Sequence, residues 1–188
     1  MSGGHGHVDI SNKRVAMLIA VLALVLALSE TLGKAAQTTA LSLNIEAANL
    51  WNFFQAKTIR STLVRTAADE METSLSGFNN PALKNAMTER IAEWRKTAAR
   101  YDSEPETKEG RKELAARAKE AEAKRDRSLA AYHHYELASA SVQIAIVLAS
   151  AEVITGVAAL VWISLGLGLL GAAFCAIGTF WPMAVHLF

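Results

Sequence analysis

Two blocks of the chain are almost purely apolar, and a long charged segment lies between them. From Leu137 to Phe188 the only Asp, Glu, Lys or Arg is Glu152, and Val15 to Leu28 holds none. One helical crossing of a bilayer takes about 20 apolar residues, so the C-terminal block is long enough to cross twice, with Thr155-Gly156 as the break. The pattern predicts transmembrane helices over 13–32, 137–155 and 157–180. Between the blocks, Leu43, Ala47, Leu50, Phe54, Lys57, Ser61, Val64, Ala68, Met71 and Leu75 recur at alternating steps of four and three, the spacing of a helix seam. Residues 34 to 75 contain neither Pro nor Gly. A helix over 33–75 is therefore expected to continue from the first span as a stalk.

Gly77 suits a helix stop, and Asn80-Pro81 is an N-cap followed by proline at the first helical position. A second helix is expected over 81–101, with Leu83, Met87, Ile91 and Trp94 on its apolar face. Ser103 followed by Glu106 resembles a capping box, so a third helix is expected over 106–136, running on into the second span. Residues 1–12 read as a flexible tail and 181–188 as a C-terminal tail. The fold class is all-α: three transmembrane helices with a long, coiled-coil-like helical extramembrane module at 33–136.

Charge changes the picture by its position. Residues 34 to 136 hold 17 of the 19 Lys and Arg and 15 of the 18 Asp and Glu, and the net charge is +1. That even mixing leaves no basic stripe suited to a phosphate backbone, so nucleic acid is not an expected partner. Cys175 is the single cysteine, which excludes an intramolecular disulfide and a cysteine metal cluster. His5 and His7 could offer a metal only two ligands on a flexible tail, leaving a site half empty. Lys13-Arg14 ahead of an apolar run fits a secretory signal or a signal anchor. The chain starts at Met1 with the segment retained, which favours the anchor.

Ionisable residues inside a membrane are costly and attract a functional hypothesis. Glu152 shares a helix face with Ala145, Ala149 and Gly156 and is expected near the level of Lys13 and Arg14, as a paired, structural acid. Glu30 stands four residues before Lys34, where an ion pair contributes only about 0.2–0.5 kcal/mol. His133 and His134 lie at the corresponding end of span two, where interfacial packing is expected and a pH-sensitive contact with Glu30 or Glu136 is the alternative. Trp51, Phe54, Gln55, Lys57 and Arg60 form the densest aromatic and polar group of the stalk and are expected to make a packing seam with a polar layer.

Small residues mark close helix approach. Ala16, Ala20, Ala23 and Ala27 form one such stripe, continued by Glu30 and Lys34, and Ser164, Gly168, Ala172, Cys175 and Thr179 form another. No nucleophile elbow, phosphate loop or dinucleotide fingerprint occurs. No enzyme activity and no cofactor is expected.

Trp51, Phe54, Gln55, Ala56, Lys57 and Ile59, together with Gln143-Ile144-Ala145-Ile146-Val147-Leu148-Ala149-Ser150, resemble an uncharacterised family of three-span bacterial membrane proteins defined as a domain of unknown function. The resemblance runs from Leu18-Ile19-Ala20 through Ala35-Ala36-Gln37 to Leu169-Leu170-Gly171. It implies a bacterial integral membrane protein and brings no activity, substrate or cofactor. Gly156-Val157-Ala158-Ala159 stands where members often carry Lys and Arg.

The expected function is that of a non-enzymatic membrane protein, an oligomeric scaffold or accessory subunit of an envelope complex. Its partners are the lipid bilayer, further copies of itself and a larger membrane complex. The alternative is a small ion channel or transporter with Glu152 in the pathway. Lys13-Arg14 before the first span favours a cytoplasmic N-terminus in the bacterial inner membrane and a periplasmic helical module.

Overall fold

In the computed structural model of the protein, residues 10 to 185 are described. Residues 1–9 of the expected tail, with its His5 and His7, and the last three residues lie outside them, while residues 10–12 already belong to the first helix. The described residues form four α-helices and no strand: α1 (Ile10–Ser74), α2 (Pro81–Asp102), α3 (Arg111–Thr155) and α4 (Ala159–Phe180), with a 3-10 turn over Leu75–Gly77. Three of the four, α1, α3 and α4, are long and apolar enough to cross a membrane. The chain divides into two compact units, one of Met1–Leu41 with Arg125–Phe188, the other of Ser42–Lys124.

The first unit packs the early part of α1 against the late part of α3 and against α4. Leu22, Val142 and Ala145 form its buried cluster, with Leu18, Val25, Leu26, Ile146 and Leu167 packed on it. The close approach depends on α4, which turns Ser164, Gly168, Gly171 and Gly178 inward. A Cβ on Gly168 would stand 2.5 Å from the Leu22 side chain, and one on Gly171 would stand 2.5 Å from Val142. Small residues here let the helix backbones come close together. The expected face held Ala172 in place of Gly171, and Ala172 is exposed, because the inward stripe follows 164, 168, 171, 175 and 178. Cys175 is half-buried on that stripe.

A second correction concerns α1. Its inward face is Val15, Leu22, Ser29 and Gly33, all buried, whereas Ala16, Ala20, Ala23, Ala27, Glu30 and Lys34 are all exposed. Leu22 faces inward against Gly168, whose missing Cβ leaves room for it. α3 ends on Gly156, whose φ of +71° is the left-handed cap that a Cβ disfavours. Its N–H closes onto the Glu152 carbonyl at 2.8 Å.

The second unit is built on the four-three seam. Ala47, Leu50, Lys57, Ser61 and Ala68 are buried, and Leu43, Phe54, Val64, Met71 and Leu75 are half-buried. Ala47 and Leu50 pack on Leu114, Ala118 and Ala121 of α3, with Trp51 and Phe54 beside them. Helix α2 starts as its sequence dictates, Asn80 accepting from Ala82 N and Leu83 N, and buries Ile91 and Ala98; Leu83 is exposed.

Helix α3 starts at Arg111, five residues later than Glu106. Residues 105–108 form a turn closed by Lys108 N donating to Glu104 O at 2.9 Å, with Lys108 at a φ of 56°. Glu113, not Glu106, accepts from Ser103 Oγ at 2.6 Å and from Glu104 N at 3.2 Å. Gly110 permits this, since a Cβ there would fall 2.4 Å from Glu104 N.

Candidate functional site

Among the described residues, polar side chains interrupt the apolar packing in both units. In the second unit, Lys57 sits at a seam position that heptad packing reserves for apolar residues, yet it is buried. Its Nζ lies 5.3 Å from the Phe53 ring centre and 5.4 Å from that of Tyr101, and 3.8 and 3.9 Å from carboxylate oxygens of Glu104 and Glu109. Two aromatic faces and two acids offset the desolvation of the ammonium. Arg100 hydrogen-bonds Glu104 at 2.6 Å and holds its carboxyl below the usual range, with Thr107 and Lys57 adding to the effect.

Around this centre Trp51 donates Nε1–H to Glu122 at 2.8 Å and meets Phe54 edge-on at 5.5 Å between ring centres. Arg111 lies over the other side of Phe54 at 5.3 Å and pairs with Asp102 at 2.9 Å; Arg65 also pairs with Asp102. The seam therefore brings together Trp51, Phe54 and Lys57. Gln55 and Arg60 are exposed and do not join it. Each is one residue from a seam position, and one residue turns the side chain about 100° around the helix. Tyr101, Arg111 and Glu122 complete the cluster from α2 and α3, and no spacing within α1 marks them.

In the first unit, Gln143 of α3 donates its amide to the Glu30 carboxylate of α1 at 3.2 Å. The Glu30–Lys34 pair expected from spacing gives way to this interhelix contact, since the amide reaches across where the two helices run close. Beneath it Ser29 is fully buried and its Oγ has no hydrogen-bond partner. A groove of about 470 Å³ follows, bordered by Glu30, Lys34, Tyr132, Glu136 and Gln143. Further along α3, His133 lies 3.7 Å from Glu136. His134 is fully buried, stacked on Phe174, with Nε2 3.3 Å from the Pro182 carbonyl oxygen.

Glu152 is buried at the far end of the same α3 face as Ala138, Val142, Ala145 and Ala149. Its Oε2 has no hydrogen-bond partner. Lys13 and Arg14 are exposed, and among the described residues neither makes an ion pair with Glu152. The anticipated pairing is thus replaced by a buried acid closing a seam of alanines. One polar contact that holds α3 to α4 is made by Ser164, whose hydroxyl donates to the Ala145 carbonyl at 2.7 Å. Among the described residues no three His, Cys, Asp or Glu side chains come together in a way that could hold a metal ion.

No curated protein and no solved structure matches the chain. Residues 11–181 match the family model described as Domain of unknown function (DUF4337), which spans both units and all four helices, and the chain belongs to that family.

Proposed function

We propose that the protein is a non-enzymatic integral membrane protein of the bacterial inner membrane that self-associates and acts as a scaffold or accessory subunit of an envelope complex. The observation that carries this reading is the unused stripe on α1. Ala16, Ala20, Ala23 and Ala27 are exposed, flanked by exposed Met17, Val21, Leu24 and Leu28. Internal packing takes the opposite side of the helix. A lipid-facing row of alanines admits a second helix at close range, and a second copy supplies the same row. Lys13-Arg14 favours a cytoplasmic N-terminus and a periplasmic second unit.

The test is disulfide cross-linking in native membranes of a Cys175→Ser protein carrying Ala20→Cys or Ala23→Cys. Both variants are expected to yield a covalent dimer, with Leu22→Cys as the inward control. A strictly monomeric particle in mild detergent and in native membrane extracts overturns the proposal. A periplasm-dependent reporter inserted near Asn79 tests the orientation, and silence there reverses it.

A second reading is favoured by the unpartnered Oε2 of Glu152: a small channel or transporter using that acid. Glu152→Gln in proteoliposomes discriminates, because a pathway through Glu152 loses ion flux in the variant and a structural acid does not.

A further inference from the structure

Besides the Glu30 groove, the first unit has a second groove of about 310 Å³, whose lining includes Ala35, Ala36 and Ala131. Its ends differ in character. Leu32, Gly178 and Pro182 border one end, and Arg127 with Ser128 borders the other. Leu32, Leu137 and Phe180 are also where the apolar segments of α1, α3 and α4 stop or start. On the membrane reading given above the groove straddles the edge of the hydrocarbon, with exposed Phe180 and Trp181 following Thr179, where aromatic side chains favour the headgroup boundary.

The polar inventory selects the ligand. Tyr135 and Thr179 hydroxyls are 3.1 Å apart, and Thr179 donates to the Cys175 carbonyl at 2.9 Å, so both are already engaged. Thr39 likewise donates to the Ala35 carbonyl at 2.9 Å. Among the described residues, the side chains of Arg127 and Ser128 make no hydrogen bond or ion pair, and they are left as donors. Arg127 is eight residues from Tyr135 along α3, about 12 Å at 1.5 Å per residue, and both border the same groove. A guanidinium fork beside a hydroxyl suits a phosphodiester. No carboxylate borders this groove, whereas Glu30 and Glu136 border the other one.

We propose that the groove between α1, α3 and the end of α4 binds the headgroup of an acidic phospholipid of the phosphatidylglycerol type, its phosphodiester on Arg127 and Ser128 and an acyl chain along Leu32. A zwitterionic lipid gains less, because its ammonium finds no acid there. The inference rests on the membrane reading given above.

The test is native mass spectrometry of the full-length protein in mild detergent with equal amounts of phosphatidylglycerol and phosphatidylethanolamine of matched chains. The wild type is expected to retain phosphatidylglycerol about fivefold more, the effect of one well-placed basic residue near an anionic headgroup. Arg127→Gln removes the preference, Arg127→Lys keeps part of it, and Glu136→Gln leaves it unchanged. Equal retention of phosphatidylglycerol by wild type and Arg127→Gln overturns the proposal. So does saturation of the Arg127-dependent site by glycerol phosphate, which makes the ligand a soluble phosphate ester. Carbonate washing of membranes separates the two readings. A protein washed off fails as a membrane protein, while one that stays but shows no lipid preference fails only in this site.

Discussion

Trp51 and Glu122 are joined by an indole N–H to carboxylate hydrogen bond of 2.8 Å that ties α1 to α3 in the second unit. The bond closes one edge of the cluster formed by Leu50, Ala118 and Ala121. Glu122→Leu leaves the half-buried N–H without an acceptor and is expected to destabilise by about 1–2 kcal/mol, whereas Glu122→Gln keeps an acceptor and loses less. Thermal unfolding followed by tryptophan fluorescence checks the order. A leucine variant as stable as the wild type refutes it.

Lys57 is the polar member of an otherwise apolar seam, and its removal uncovers two acids as well as two rings. Lys57→Met retains the aliphatic stem and loses the charge, so the expected cost is about 1–2 kcal/mol from the lost cation-π and ion-pair contacts. Since Glu104 keeps Arg100, the loss stays below that of a fully orphaned buried charge. Circular dichroism melts of the variant read it, and a melting temperature above that of the wild type contradicts the assignment.

Acid weakens the second unit in a defined direction. Glu104, Glu113 and Glu120 are held below the ordinary value of 4.5, first by hydrogen bonds from Arg100, Ser103 and Lys124. Their folded pKa values lie under the unfolded ones, so the stability they contribute is present above that ordinary value and is lost as pH falls through the folded values. Lys124 is raised above 10.5 by Glu120; its contribution is present below that value and is lost as pH rises through the folded one. Denaturant midpoints measured at descending pH should fall more steeply in the wild type than in Ser103→Ala. High salt should flatten the Glu120–Lys124 part, which is exposed to solvent.

The glycines of α4 differ in what surrounds them. A Cβ on Gly171 meets Val142 at 2.5 Å and the Ala138 carbonyl at 3.0 Å, one on Gly168 meets only the end of a leucine, and one on Gly166 meets nothing within 4 Å. Gly171→Ala is therefore expected to cost about 1–3 kcal/mol by overpacking. Gly168→Ala costs less, as the leucine can swing aside, and Gly166→Ala is neutral or slightly stabilising. Melting in detergent followed by size-exclusion chromatography ranks the three. A neutral Gly171→Ala argues against this packing.

Much of this architecture is legible in the pattern of residues, and the misses share a cause. The stalk seam from Leu43 to Leu75 is written in its own spacing, because a helix buries the stripe that repeats every three and four residues, and Asn80-Pro81 announces α2 by local chemistry alone. The face of α1 is different. Ala16, Ala20, Ala23 and Ala27 repeat as regularly as Val15, Leu22 and Ser29, and spacing cannot choose between two stripes of one apolar helix. The choice depends on α4, whose Gly168 accepts the Leu22 side chain. The start of α3 escapes for a similar reason, since Glu113 caps through Ser103 and Glu104 only after Gly110 lets the backbones meet. Among the site residues, Lys57 and Phe54 follow from seam position, while the Glu30–Gln143 contact joins residues far apart in sequence and leaves no local mark.

The inward surface of α4 also has a thermal consequence. Glycine and alanine surrender no side-chain rotamers when they are packed, so the contacts of Gly168, Gly171 and Gly178 with Leu22, Val142 and His134 immobilise groups on one side only. Assembly of the three helices thus loses little side-chain entropy and depends chiefly on dispersion between closely spaced backbones. An interior of this kind holds its geometry on cooling, where water-driven burial weakens.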